Sequence, residues 1–146
     1  VAELATHPKI VGLKDATGNI PRLKATQKLV SDDFLFLSGD DLTGCEFLAN
    51  GGHGVISVTA NIVPKQMADM CDAALAKDFQ LAKKIDKQIA GLHTALFVEP
   101  NPVLPKWALH KMGLINSSFL RLPLVESELA SQNHIEQVMR NSGVLS

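Results

Sequence analysis

Three short apolar runs constrain this chain most: "KIVGLK" at residues 9–14, "FLFLSGDD" at residues 34–41 and "GVISVTAN" at residues 54–61. Each is of strand length, and none alternates apolar with polar residues. A strand that is apolar on both faces needs cover on both, which parallel strands flanked by helices receive. The segments between the runs agree. Residues 21–30 read as a helix, with Asn19 as its cap and Pro21 in the first turn, where a missing N–H is tolerated. "LTGCEFLANGG" reads as a short helix closed by glycines. The outline is βαβαβ, an α/β chain.

Ahead of the first run, Val1–Ala5 reads as the last turns of a helix stopped at His7-Pro8. Beyond Ile62 the strands end. Met67, Met70, Cys71, Ala74 and Leu75 recur at helical spacing, as do Leu81, Ile85, Ile89, Leu92 and Leu96. "EPNP" forces a turn, Pro102 or Pro105 opens another helix, and Glu126 to Arg140 forms a last one. The expected division is residues 1–78 as βα units and residues 79–146 as a helical domain.

Composition narrows the partners. A formal net charge of -1 and 20% charged residues give no basic excess for nucleic acid or a membrane surface, so a small-molecule partner is expected. No apolar run approaches the roughly 18 residues of a membrane span. Cys45 and Cys71 lie apart in apolar helix faces, and they read as reduced residues of a cytoplasmic protein. His7, His53, His93, His110 and His134 form no ligand spacing, so no metal site is expected. "GDDLTG" has the glycine spacing of a phosphate loop but lacks its Lys-Ser/Thr pair. The Asp40-Asp41 pair reads as a solvated turn, with Asp41 capping the next helix.

In parallel α/β architectures ligands meet the carboxyl ends of strands. All three runs end there in polar or reactive groups: Lys14-Asp15, Gly39-Asp40-Asp41, and Ser57 through Asn61. A lysine closing an apolar run is unusual. Loss of water disfavours an ammonium, and a neutral amine is a nucleophile toward ketones. The other reading is a lysine that reaches solvent past the strand end.

"VGLKDATGN", "LSGDD", "GGHGVISVTAN", "FVEPNPVLPKWAL" and "LRLPL", in that order, resemble the dihydrodipicolinate synthase family, among the pyruvate-dependent class I aldolases that include N-acetylneuraminate lyase. The resemblance covers essentially the whole chain but only the C-terminal half of the family's protein. It implies the end of a TIM (β/α)8 barrel, about strands six to eight, followed by a C-terminal helical domain. It also implies a homo-oligomer built as a dimer of dimers, with the segment around Asn19-Ile20-Pro21 near the contact between dimers. By the same resemblance Lys14 is the Schiff-base lysine in a dry pocket. Gly39 and Asp40 match the "GD" at the mouth of strand seven, and Ile56 matches the residue whose backbone carbonyl lies close to the lysine nitrogen.

The implied activity is a lyase that condenses pyruvate, held on Lys14, with L-aspartate 4-semialdehyde in lysine and diaminopimelate synthesis. The covalent imine leaves no role for a metal or an organic cofactor. A sister aldolase acting on sialic acid or a keto-deoxy sugar acid, and a noncatalytic half-barrel interaction module, are the alternatives. The family's relay tyrosines lie upstream of the lysine strand, and this chain has no tyrosine. A half barrel also leaves an open strand edge and apolar inner faces that meet water. The expectation is a chain that holds the nucleophile and is inactive alone.

Overall fold

The structure, a computed structural model, describes residues 1–145. The elements run in the order α1 (Ala2–Ala5), β1 (Gly12–Asp15), α2 (Ile20–Gln27), β2 (Leu35–Ser38), α3 (Gly44–Ala49), β3 (Gly54–Val55), a single 3-10 turn (Thr59–Asn61), α4 (Pro64–Leu75), α5 (Phe79–Ala95), α6 (Val103–Lys111) and α7 (Leu129–Asn141). The strands form one parallel sheet in the order β1-β2-β3, so the chain is α/β as its apolar runs require. Among the described residues no helix is long and apolar enough to cross a membrane.

Local chemistry explains the element ends. Asn19 caps α2, its side chain accepting the Arg22 N–H at 2.9 Å, and Pro21 sits in the first turn. The helix stops at Gln27, short of the expected Val30, where the backbone tightens and the Leu29 N–H reaches back to the Thr26 carbonyl. The last helix starts at Leu129, later than the expected Glu126.

The third run is corrected more strongly. Only Gly54–Val55 pairs as strand, and Thr59–Asn61 winds into the 3-10 turn. The reason lies in the neighbour: β2 ends at Ser38, whose carbonyl takes the Ile56 N–H at 2.7 Å, and the chain then turns away at Gly39, so the run has no further ladder to join.

The chain forms two compact units interleaved along the sequence, residues 1–57 with 69–83 and residues 58–68 with 84–146. The first unit holds the sheet. Strand alternation divides the sheet's side chains between two faces. On one face Phe34 and Phe36 join Ile20, Leu23 and Phe47 in a buried core, the two phenylalanine rings meeting edge to face with centroids 5.5 Å apart. The other face carries Leu35 at 43% exposure and Ile56 at 50%, uncovered by any described residue. Those exposures decide that the sheet is layered on one side only.

In the second unit α6 packs on α7 and on the 3-10 turn. Leu92, Leu96, Leu104, Ala108, Ile135 and Met139 are fully buried, and Lys111 on α6 pairs with Glu136 on α7 at 2.9 Å. Its interior also holds a polar contact, Thr59 Oγ1 to His93 Nδ1 at 2.8 Å, both residues being buried.

Candidate active site

Register places the site. Lys14 pairs with Leu37, and Leu37 pairs with Gly54, so Lys14, Leu37 and Gly54 stand on one face of the sheet. This is the bare face. Lys14 is exposed, and it borders a depression of about 390 Å³ lined by Ile10, Gly12, Leu35 and Leu37 among others. Among the described residues of this unit the expected dry pocket is not formed: the wall beneath the lysine is apolar, but Lys14 and Leu35 are exposed to water.

Asp15 points the other way and is buried. Its carboxylate accepts the Thr17 N–H at 2.9 Å and the Arg22 Nε–H at 2.9 Å. Burial works against its charge, but the bonds from Thr17 and from the Arg22 guanidinium outweigh that and hold the carboxyl below the usual carboxylate range. Asp15 thus ties the end of β1 to the start of α2 and fixes the base of Lys14.

The turn after β2 is built by Ser38 and Asp40. Ser38 is buried, its hydroxyl donating to the Asp40 carbonyl at 3.0 Å and accepting the Asp40 N–H at 3.1 Å. The Asp40 carboxylate accepts both the N–H and the hydroxyl of Thr43, at 3.0 and 2.6 Å, just ahead of α3. The expected solvated turn is corrected here, since Asp41 is buried, and it is Asp40 that holds Thr43. Gly39 lies between these groups, its N–H bound to the Asp15 carbonyl at 2.8 Å, so the ends of β1 and β2 are locked side by side. Gly18, at φ +64°, brings the "DATGN" turn against Asp40, where a Cβ would meet the Asp40 carboxylate at 3.2 Å.

Lys14, Gly39, Asp40 and Ile56 therefore all lie on or beside the carboxyl ends of the strands in one unit. Sequence reasoning did not single out Ser38, Thr43 or the Asp15–Arg22 pair. The only available signals were the serine ahead of Gly39 and the seven-residue spacing from Asp15 to Arg22, which is ambiguous without the fold. Near β3, the His53 Nδ1 accepts the Phe36 N–H at 3.0 Å and its ring stacks on Phe36, in line with a turn residue. Among the described residues no cluster of His, Cys, Asp and Glu is placed to hold a metal ion.

Comparison with known proteins adds to this geometry. Residues 1–142 match the model of the dihydrodipicolinate synthetase family. The 4-hydroxy-tetrahydrodipicolinate synthase of Pseudoalteromonas atlantica is 80% identical over 146 residues, all of this chain and 50% of that protein. The corresponding enzyme of Alcanivorax borkumensis is 48% identical over 99% of the chain and 49% of its own length. Among solved structures, the chloride-inhibited dihydrodipicolinate synthase of Acinetobacter baumannii, complexed with pyruvate, superimposes with a TM-score of 0.94 at 44% identity, over 99% of this chain and 49% of that one. The chain thus spans about half the length of the relatives it matches. It belongs to the dihydrodipicolinate synthetase family.

Proposed function

We propose that these residues supply the nucleophile-bearing half of a 4-hydroxy-tetrahydrodipicolinate synthase, with Lys14 as the Schiff-base residue. The observation that carries this reading is the position of Lys14. It is an amine at the carboxyl end of a parallel strand, on the apolar face of the sheet, in a chain 80% identical throughout to a protein of that name. In this reading residues 1–78 are the closing units of a TIM barrel, strands six to eight, and residues 79–146 are its helical domain. The part of the relatives that this chain does not span provides the layer over the bare face, which dries the site.

The chemistry then runs as follows. Lys14 Nζ attacks the ketone carbon of pyruvate, water leaves, and a protonated imine forms. The imine nitrogen draws electrons from the neighbouring methyl group, which loses a proton to give an enamine. The enamine carbon attacks the aldehyde of L-aspartate 4-semialdehyde, restoring the imine, and the aldehyde oxygen takes up a proton in place of the one the methyl group lost. The amine of the semialdehyde then attacks the imine carbon, closing the ring and releasing Lys14. The covalent imine is the electron sink throughout. Gly39, Asp40 and Ile56 line the mouth where the substrates enter. The assembled protein is a cytoplasmic oligomer, a dimer of dimers.

The test uses a fusion of this chain to the half of the Pseudoalteromonas atlantica relative that it does not span. Incubation with pyruvate and borohydride is expected to fix one pyruvate on Lys14 by intact mass and peptide mapping, and Lys14→Ala is expected to abolish the adduct. No adduct on the folded fusion would overturn the reading. Turnover with L-aspartate 4-semialdehyde, against sugar-acid acceptors, separates this enzyme from its sister aldolases.

A further inference from the structure

Gly39 is not required by its backbone, because its φ lies outside the left-handed region and any residue could adopt it. Space is the constraint. A Cβ at Gly39 would stand 2.5 Å from Lys14 Cε, 3.4 Å from Lys14 Cγ and 3.0 Å from the Ala16 Cβ. The aliphatic stem of Lys14 thus lies across the bare α-carbon of Gly39. The glycine itself cannot retreat, since its N–H is held by the Asp15 carbonyl at 2.8 Å, and Asp15 is anchored in turn by Thr17 and Arg22.

We infer that Gly39 is a positioning residue: its missing side chain is the slot in which the Lys14 stem rests, and this slot sets where the amine points. The inference rests on the Schiff-base reading above. The crowding of a side chain here falls on the flexible end of the lysine, which moves easily, more than on the backbone. The fold therefore tolerates Gly39→Ala, while the nucleophile is displaced. A displacement of about 1 Å at a reacting group can cost roughly 100-fold in rate.

The experiment measures the rate of pyruvate trapping by borohydride in the same fusion, for wild type, Gly39→Ala and Gly39→Ala/Ala16→Gly. The double variant removes the Ala16 Cβ, which at 3.0 Å is the one of the three nearest atoms that does not belong to the lysine. Both variants are expected to melt near the wild-type temperature and to be trapped about tenfold or more slowly, as misplacement of the amine requires. Trapping of Gly39→Ala at the wild-type rate overturns the inference. So does recovery in the double variant, which would assign the effect to Ala16. Failure of the wild-type fusion to be trapped is a different result, because it refutes the Schiff-base assignment itself.

Discussion

Asp15→Asn tests the tie that holds the lysine strand to α2. Asparagine keeps the volume and one oxygen, which can still accept the Thr17 N–H. It loses the charge and turns an N–H toward the Arg22 guanidinium, opposing donor to donor. Asp15 is 9% exposed, whereas the Arg22 side chain is 50% exposed, so the ion pair is screened from one side. Such a half-exposed pair contributes about 0.5–1 kcal/mol. The bond from Thr17 weakens when its acceptor becomes neutral, by a further 0.5–1 kcal/mol, roughly. The expected loss at neutral pH is about 1–2 kcal/mol in urea unfolding followed by circular dichroism, with an unchanged slope.

The pH dependence has a definite sign. The folded carboxyl binds its proton less tightly than the unfolded one, so in acid the unfolded state takes up more protons and stability decreases as the pH is lowered. The contribution is complete above the ordinary aspartate value of about 4 and disappears as pH drops through the lower folded value. The difference between wild type and Asp15→Asn is therefore expected to shrink in strong acid. A difference of under about 0.3 kcal/mol at neutral pH, or one that is undiminished near pH 2, would refute the role given to the ion pair.

Two further substitutions probe the two units separately. Phe36→Ala removes a buried ring from the core beneath the sheet and its edge contact with Phe34, and chemical denaturation is expected to show a loss of about 3–5 kcal/mol. Thr59→Val takes the hydroxyl away from His93 Nδ1 inside the second unit; the cost expected in the same assay is about 1–3 kcal/mol, and it should be smaller when His93→Leu is already present, because the two residues share the contact.

Much of this molecule is legible in local sequence. The three runs lacked alternation, which pointed to parallel strands in an α/β chain, although the cover on both faces that such strands call for is present on one face only among the described residues. Asn19 two residues ahead of Pro21 marked the start of α2, since capping and the tolerance of proline depend only on neighbouring backbone groups. The unusual lysine at the end of a run pointed to the candidate site, and the ordered motifs pointed to the family that the comparisons show.

Other features depended on groups distant in the chain. The third run looked as good a strand as the others, yet its pairing stopped where β2 turned away at Gly39. The Asp40-Asp41 pair read as a solvated turn, and only the position of Thr43 and the packing around the turn made Asp40 the acceptor for Thr43 and buried Asp41. Lys14 shows the division most clearly. Its place at the carboxyl end of an apolar strand follows from the sequence, but its face, which the register sets, and its exposure do not. Burial is decided by what lies across the sheet, and within this unit the helices cover the Phe36 face while Lys14, Leu35 and Ile56 stay exposed.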